Sequence, residues 1–146
     1  MICGWSSAAY PDSSASEAAI LEKVRSTVKS KSETATPIAA IVIEPTQHST
    51  GYTASSSFLS ALRSIANDFE VALVLDETST CGGATGSFWQ HDSSAKPDYV
   101  AFGKRMQATG YFSKVEGSTV GGAENDVRVF DLIHTAIQQD SLLKQV

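Results

Sequence analysis

Residues 71–77, VALVLDE, decide the reading of the fold. Five apolar residues stop abruptly on Asp76-Glu77, the pattern of a short buried strand that ends where polar chemistry begins. Two other runs end in the same manner. Residues 38–43 are apolar and rich in β-branched side chains and stop at Glu44-Pro45, and residues 99–102 are followed at once by Gly103-Lys104. If the three runs are parallel strands of one sheet, Glu44, Asp76 and Lys104 gather along its carboxyl edge, where open α/β sheets place their ligands. An amine and a carboxylate in one crevice suggest carbonyl chemistry on a bound cofactor.

Helical patterns lie between and around these runs. Ser14 and Glu17 have the spacing of a capping box, and Leu21, Val24 and Val28 follow at helical intervals, so a helix is expected from Ser14 to about residue 30. Phe58, Leu62, Ile65 and Phe69 mark one face of a second helix that hands over directly to the strand at 71–75. Val127, Phe130, Ile133 and Ile137 define a last one. A strand-to-strand spacing of about thirty residues suits βαβ units, so the fold class is α/β, a mainly parallel sheet flanked by helices. Residues 80–86 read as a glycine-rich loop and 103–122 as irregular. There is no internal repeat and no linker, and 1–146 is expected to be one domain-sized unit.

Composition excludes several classes. A net charge of −5 leaves no footprint for nucleic acid or an anionic membrane surface. No run approaches the roughly 20 apolar residues that span a bilayer, and residues 1–10 lack the features of a signal peptide. Cys3 and Cys81 make no disulfide framework, which favours a reducing compartment. His48, His91 and His134 share no metal-ligand spacing, and no metal is expected. VALVLDE also has the look of the strand bearing the magnesium acid of P-loop ATPases, but the GxxxxGK[ST] loop that chemistry needs is missing. Cys81 reads as a small loop residue with no base to activate it, and Phe88-Trp89 as packing.

Three stretches together carry a family resemblance: IVIEPTQ at 41–47, VLDETSTCGGATGSFWQH at 74–91 and PDYVAFGKRMQATGYF at 97–112. In order and separation they resemble landmarks of the class III pyridoxal-phosphate aminotransferases, and TGSFW followed by GKRMQATGYF resembles the 4-aminobutyrate branch of that family. The resemblance implies a partial fold-type I large domain with pyridoxal 5'-phosphate as cofactor. It implies that Lys104 forms a Schiff base with the cofactor aldehyde and then shuttles a proton. It makes Asp76 the acid that keeps the pyridine nitrogen protonated, ahead of its neighbour Glu77. Glu44 matches an acid that pairs with a switching arginine at the substrate side, an arginine with no match within 1–146.

Departures accompany the matches. Ser79 stands where the family has a glutamine on the cofactor's ring hydroxyl, and Thr78 where an aliphatic side chain packs on the ring. Ser118 falls near the second-subunit phosphate contact. Family members run to roughly three times this length, a multi-domain size, so 1–146 resembles the central part of the cofactor-binding domain. The implied reaction moves an amino group from 4-aminobutyrate to 2-oxoglutarate in a full-length homodimer of the mitochondrial matrix, or otherwise of the cytoplasm. Its partners are small amino and oxo acids, and the segment alone is expected to be inactive. Two alternatives remain: another class III ω-amino-acid aminotransferase, or a non-catalytic truncated paralogue.

Overall fold

The computed structural model describes residues 6–12, 14–91 and 93–113, together with 133 and 135. Four strands form one sheet in the order β1 (Ala40–Ile43), β2 (Ala72–Asp76), β3 (Tyr99–Phe102), β4 (Gly110–Ser113). The first three run parallel, and β4 returns antiparallel against β3. Helix α1 (Ser14–Lys31) precedes β1, helix α2 (Ser56–Asp68) connects β1 to β2, and a 3-10 turn, Lys104–Met106, lies between β3 and β4. The α/β expectation holds. Three boundaries and one element differ from it: β1 begins at Ala40 rather than 38, β2 spans Ala72–Asp76 rather than 71–75, and the stretch read as irregular contains β4.

Pairing explains the differences. Ala40 is the first residue of β1 with a partner, Ala72, and Asp76 still pairs with Ala101, so each strand is as long as its neighbour allows. Gly110 to Ser113 contains two strand formers, Tyr111 and Phe112, in a run too short to stand out in the sequence, and it pairs in register with Tyr99 to Phe102. Between β2 and β3 the chain passes through turns rather than a helix among the described residues.

Both described helices pack against one face of the sheet. Alternation along β2 turns Leu73 and Leu75 into a core with Phe58, Leu59, Leu62 and Ala66 of α2 and Val28 of α1, while Ala72, Val74 and Asp76 turn the other way. Helix α2 is capped by Ser55, whose hydroxyl accepts from the Phe58 amide at 3.0 Å. Glu17 does more than its capping-box spacing foretold: its carboxylate accepts from the Ser55 amide at 2.8 Å and the Ser55 hydroxyl at 2.6 Å, tying α1 to the start of α2. At the far end, Glu70 takes a left-handed conformation (φ 54°) and the Val71 amide bonds the Ala66 carbonyl at 2.9 Å, so helix passes into strand within a few residues.

The amino ends of β2 and β3 are locked by Asp98. Its Oδ2 accepts from the Arg63 guanidinium at 2.5 Å and from the Leu73 amide at 2.8 Å. A second cluster, Cys81, Phe88, Phe102, Met106 and Ala108, sits beneath the turn after β3, with Ile133 packed against it. The rest of the expected last helix and Ser118 lie outside the described residues. No described helix is long and apolar enough to cross a membrane.

Candidate active site

Because β1, β2 and β3 are adjacent and parallel, the residues that follow them share one edge: Glu44 after β1, Asp76 at the end of β2, and Lys104 two residues beyond β3. Each does something different there. Asp76 is half-buried and its Oδ1 accepts from the Thr78 amide at 3.0 Å, which folds the chain back over the strand end. Its Oδ2 takes no hydrogen bond among the described residues.

Lys104 opens the 3-10 turn with φ 46°, a left-handed conformation that a side-chain-bearing residue adopts at a cost. The backbone is fixed there by the Gln107 amide on the Lys104 carbonyl at 2.9 Å and by fully buried Met106. Its exposed amine reaches back across the edge and donates to the Ser79 hydroxyl at 2.5 Å. Lys104 therefore meets the loop that leaves Asp76, three residues past the carboxylate. Thr78 lies under the same turn: a Cβ placed on Gly103 would come within 3.4 Å of its Cβ.

Glu44 points elsewhere. Its carboxylate accepts from the His48 amide at 2.8 Å, closing its own loop, while Tyr10 donates its hydroxyl to the Glu44 carbonyl at 2.7 Å. Burial first, and then the nearby Glu44 carboxylate, push the Tyr10 phenol up to about 12.

Glu77 is the residue whose weight the sequence reading underestimated. It is fully buried and accepts from the Thr80 hydroxyl at 3.1 Å, the Gln90 amide at 2.6 Å, the His91 amide at 2.9 Å and the His91 ring Nδ1. Strand alternation contained the signal, since Leu73, Leu75 and Glu77 fall on one parity and Asp76 on the other. Cys81 is buried, with its thiol toward the Gly103 carbonyl at 3.6 Å and pushed up by desolvation, so it serves packing as expected. Phe88 is buried and stacks edge-to-face on Trp89 at 5.0 Å. A cavity of about 400 Å³ lined by Arg63, Asn67 and Tyr99 opens at the amino ends of the strands, away from Lys104.

An α/β sheet with an acid and a lysine at neighbouring strand ends defines a class, and the sequence agrees with it. The profile of the class-III aminotransferases matches residues 1–123, and the chain belongs to that family. Within it the chain is similar to the 4-aminobutyrate aminotransferase of Mycosarcoma maydis, 38% identical over 103 residues, which cover 68% of this chain and 20% of that protein. It is similar also to the mitochondrial 4-aminobutyrate aminotransferase of Rattus norvegicus, 35% identical over 109 residues, 72% of this chain and 22% of that one. In fold it is similar to the lysine aminotransferase of M. tuberculosis, with a TM-score of 0.69 and 24% identity over 88% of this chain and 33% of that one. The chain spans about one fifth of the length of the curated relatives it matches.

Proposed function

We propose that residues 1–146 are the central part of the cofactor-binding large domain of a 4-aminobutyrate aminotransferase-like enzyme, with pyridoxal 5'-phosphate held by Asp76 and Lys104. One observation carries the reading: an amine and a carboxylate share the edge of adjacent parallel strands, and the amine reaches Ser79 on the loop that leaves Asp76. The donor set fits the cofactor. Asp76 keeps an oxygen free of partners among the described residues for a protonated ring nitrogen, Lys104 presents a primary amine for an aldehyde, and Ser79 and Thr78 line the step between them.

When bound, the cofactor supplies an electrophilic aldehyde and an electron-withdrawing ring. Asp76 would hold a proton on the ring nitrogen, because a negative charge beside that atom raises its pKa. Lys104 Nζ would present the amine that the aldehyde needs, and the same amine would hold or move a proton at the substrate carbon. Ser79 accepts from Nζ and so fixes the direction of the amine. Glu44 is assigned to the substrate side, as the acid that pairs with an arginine when the substrate has only one carboxylate. Its turn toward His48 in this structure is the arrangement such a pairing has to reverse. Ser118 is assigned to the cofactor phosphate of a second subunit in a homodimer. The amino donor is 4-aminobutyrate, the acceptor 2-oxoglutarate, and the compartment mitochondrial, after the name of the rat relative.

The test begins with the lysine. Pyridoxal phosphate followed by borohydride is expected to label Lys104, with the label lost in Lys104→Ala; label on Lys96 or Lys114 instead removes the assignment. Glutamate formation from 4-aminobutyrate and 2-oxoglutarate is then measured for residues 1–146 and for a longer in-frame product. Activity in the longer product, abolished by Lys104→Ala, supports the aminotransferase over a non-catalytic paralogue, and other ω-amino acids in place of 4-aminobutyrate define the donor.

A further inference from the structure

We infer that Glu77, clamped by His91, is a positioning residue that sets where the amine of Lys104 sits. The inference rests on the reading of Lys104 as the cofactor lysine. Glu77 follows Asp76 on the opposite face of the strand end, and its amide continues the β2–β3 ladder by bonding the Ala101 carbonyl at 3.0 Å. Its two oxygens receive four donors from both ends of one loop: Thr80 near the start, Gln90 and His91 at the close. A fully buried carboxylate with that many donors has its desolvation met by charge-assisted hydrogen bonds.

What the clamp holds is the floor of the site. The loop of 78–91 carries Thr78 and Ser79 at its beginning. Its middle is folded by the Gly82 amide on the Phe88 carbonyl at 2.9 Å, which puts Phe88 and Cys81 into the cluster under Met106. A Cβ on Gly82 would come within 3.0 Å of the Met106 sulfur, and the Cys81 thiol reaches the Gly103 carbonyl, so the loop and the Lys104 turn are packed without slack. The hydroxyl that orients the lysine and the turn that carries it are therefore registered against each other through Glu77.

The experiment uses the 146-residue chain with pyridoxal phosphate and borohydride. Peptide mass spectrometry gives the ratio of label on Lys104 to label on exposed Lys29, at a temperature where circular dichroism shows each variant folded. Glu77→Gln and His91→Ala are expected to lower that ratio by about tenfold, the scale on which a displaced reacting group loses its advantage. His91→Asn, whose side-chain amide nitrogen can stand where Nδ1 stands, is expected to keep it. A Glu77→Gln or His91→Ala chain that melts lower yet keeps the unmutated ratio overturns the inference, leaving Glu77 a purely structural residue. Should Glu77→Gln not fold, His91→Ala decides, since it removes a single donor from the clamp. No preference for Lys104 in the unmutated chain is a different failure: it sinks the assignment of the lysine, and the positioning role with it.

Discussion

Asp98→Ala is expected to cost toward the low end of about 3–5 kcal/mol, the range for removing one partner of a buried ion pair, because this pair is part-buried. Arg63 and Asp98 are 12% and 17% exposed, with 2.5 Å between Nη1 and Oδ2. Without the carboxylate the guanidinium stays in place, and its Nε is already buried with no hydrogen-bond partner among the described residues. The Leu73 amide loses its acceptor as well, for which an orphaned donor costs about 1–3 kcal/mol on its own. These losses overlap, because water reaches a site opened by truncation, and the pair figure covers both. A chain of this length has about 7–20 kcal/mol to lose. With a urea slope of about 2 kcal/mol/M the midpoint falls by about 2 M at unchanged slope. Asp98→Asn keeps an acceptor for Leu73 and is expected to fall between wild type and Asp98→Ala. The Arg63→Met, Asp98→Leu double variant is expected to be more stable than Asp98→Ala, since it leaves no unpaired charge inside. A loss under about 1 kcal/mol for Asp98→Ala, the range of solvated surface pairs, would refute the argument that Asp98 locks the strand starts.

Two further outcomes are expected. Tyr10 is pushed up to about 12 from an ordinary 10.0, so its neutral, hydrogen-bonded form favours the folded state. That contribution is whole below pH 10 and fades as pH rises through about 12. Tyrosinate absorbance is expected to show a late-titrating component that Tyr10→Phe removes; its persistence in the variant assigns it elsewhere. Asp76→Asn is expected to weaken retention of pyridoxal phosphate and, in an active longer product, slow turnover by orders of magnitude, while the unfolding free energy from urea titration stays within about 0.5 kcal/mol of wild type. Unaltered retention and turnover would separate Asp76 from the cofactor.

Much of the architecture was legible because burial writes itself into short patterns. The three apolar runs become β1, β2 and β3, and Phe58, Leu62 and Ile65 are the buried face of α2. What the patterns lack is any residue whose state depends on a distant partner. Strand β4 contains two strand formers, Tyr111 and Phe112, but its four residues show no alternation between buried and exposed positions, and what defines it is the β3 edge it pairs with. Glu17 was legible as a helix-start residue, yet its partner is Ser55, 38 positions along the chain. The same limit governs the site. Strand ends place Asp76 and Lys104 together, whereas the Ser79 contact depends on a turn whose left-handed Lys104 has no local sequence signature.

The dipeptide Asp76-Glu77 shows how two like residues come to do unlike work. Adjacent positions at a strand end face opposite sides, so no single environment can act on both. Asp76 emerges half-buried on the open face, with an oxygen to spare, and Glu77 enters the interior, where every donor it meets comes from the loop it closes. Exchanging their roles would require a slip of one residue in β2. That slip would also carry Leu73 and Leu75 out of the core they share with α2, at the cost of losing the burial of two leucines, about 1.5–3 kcal/mol each. The core thus fixes which acid is presented to the site. Its packing against α2 is what leaves Asp76 rather than Glu77 facing the proposed cofactor side of the strand end.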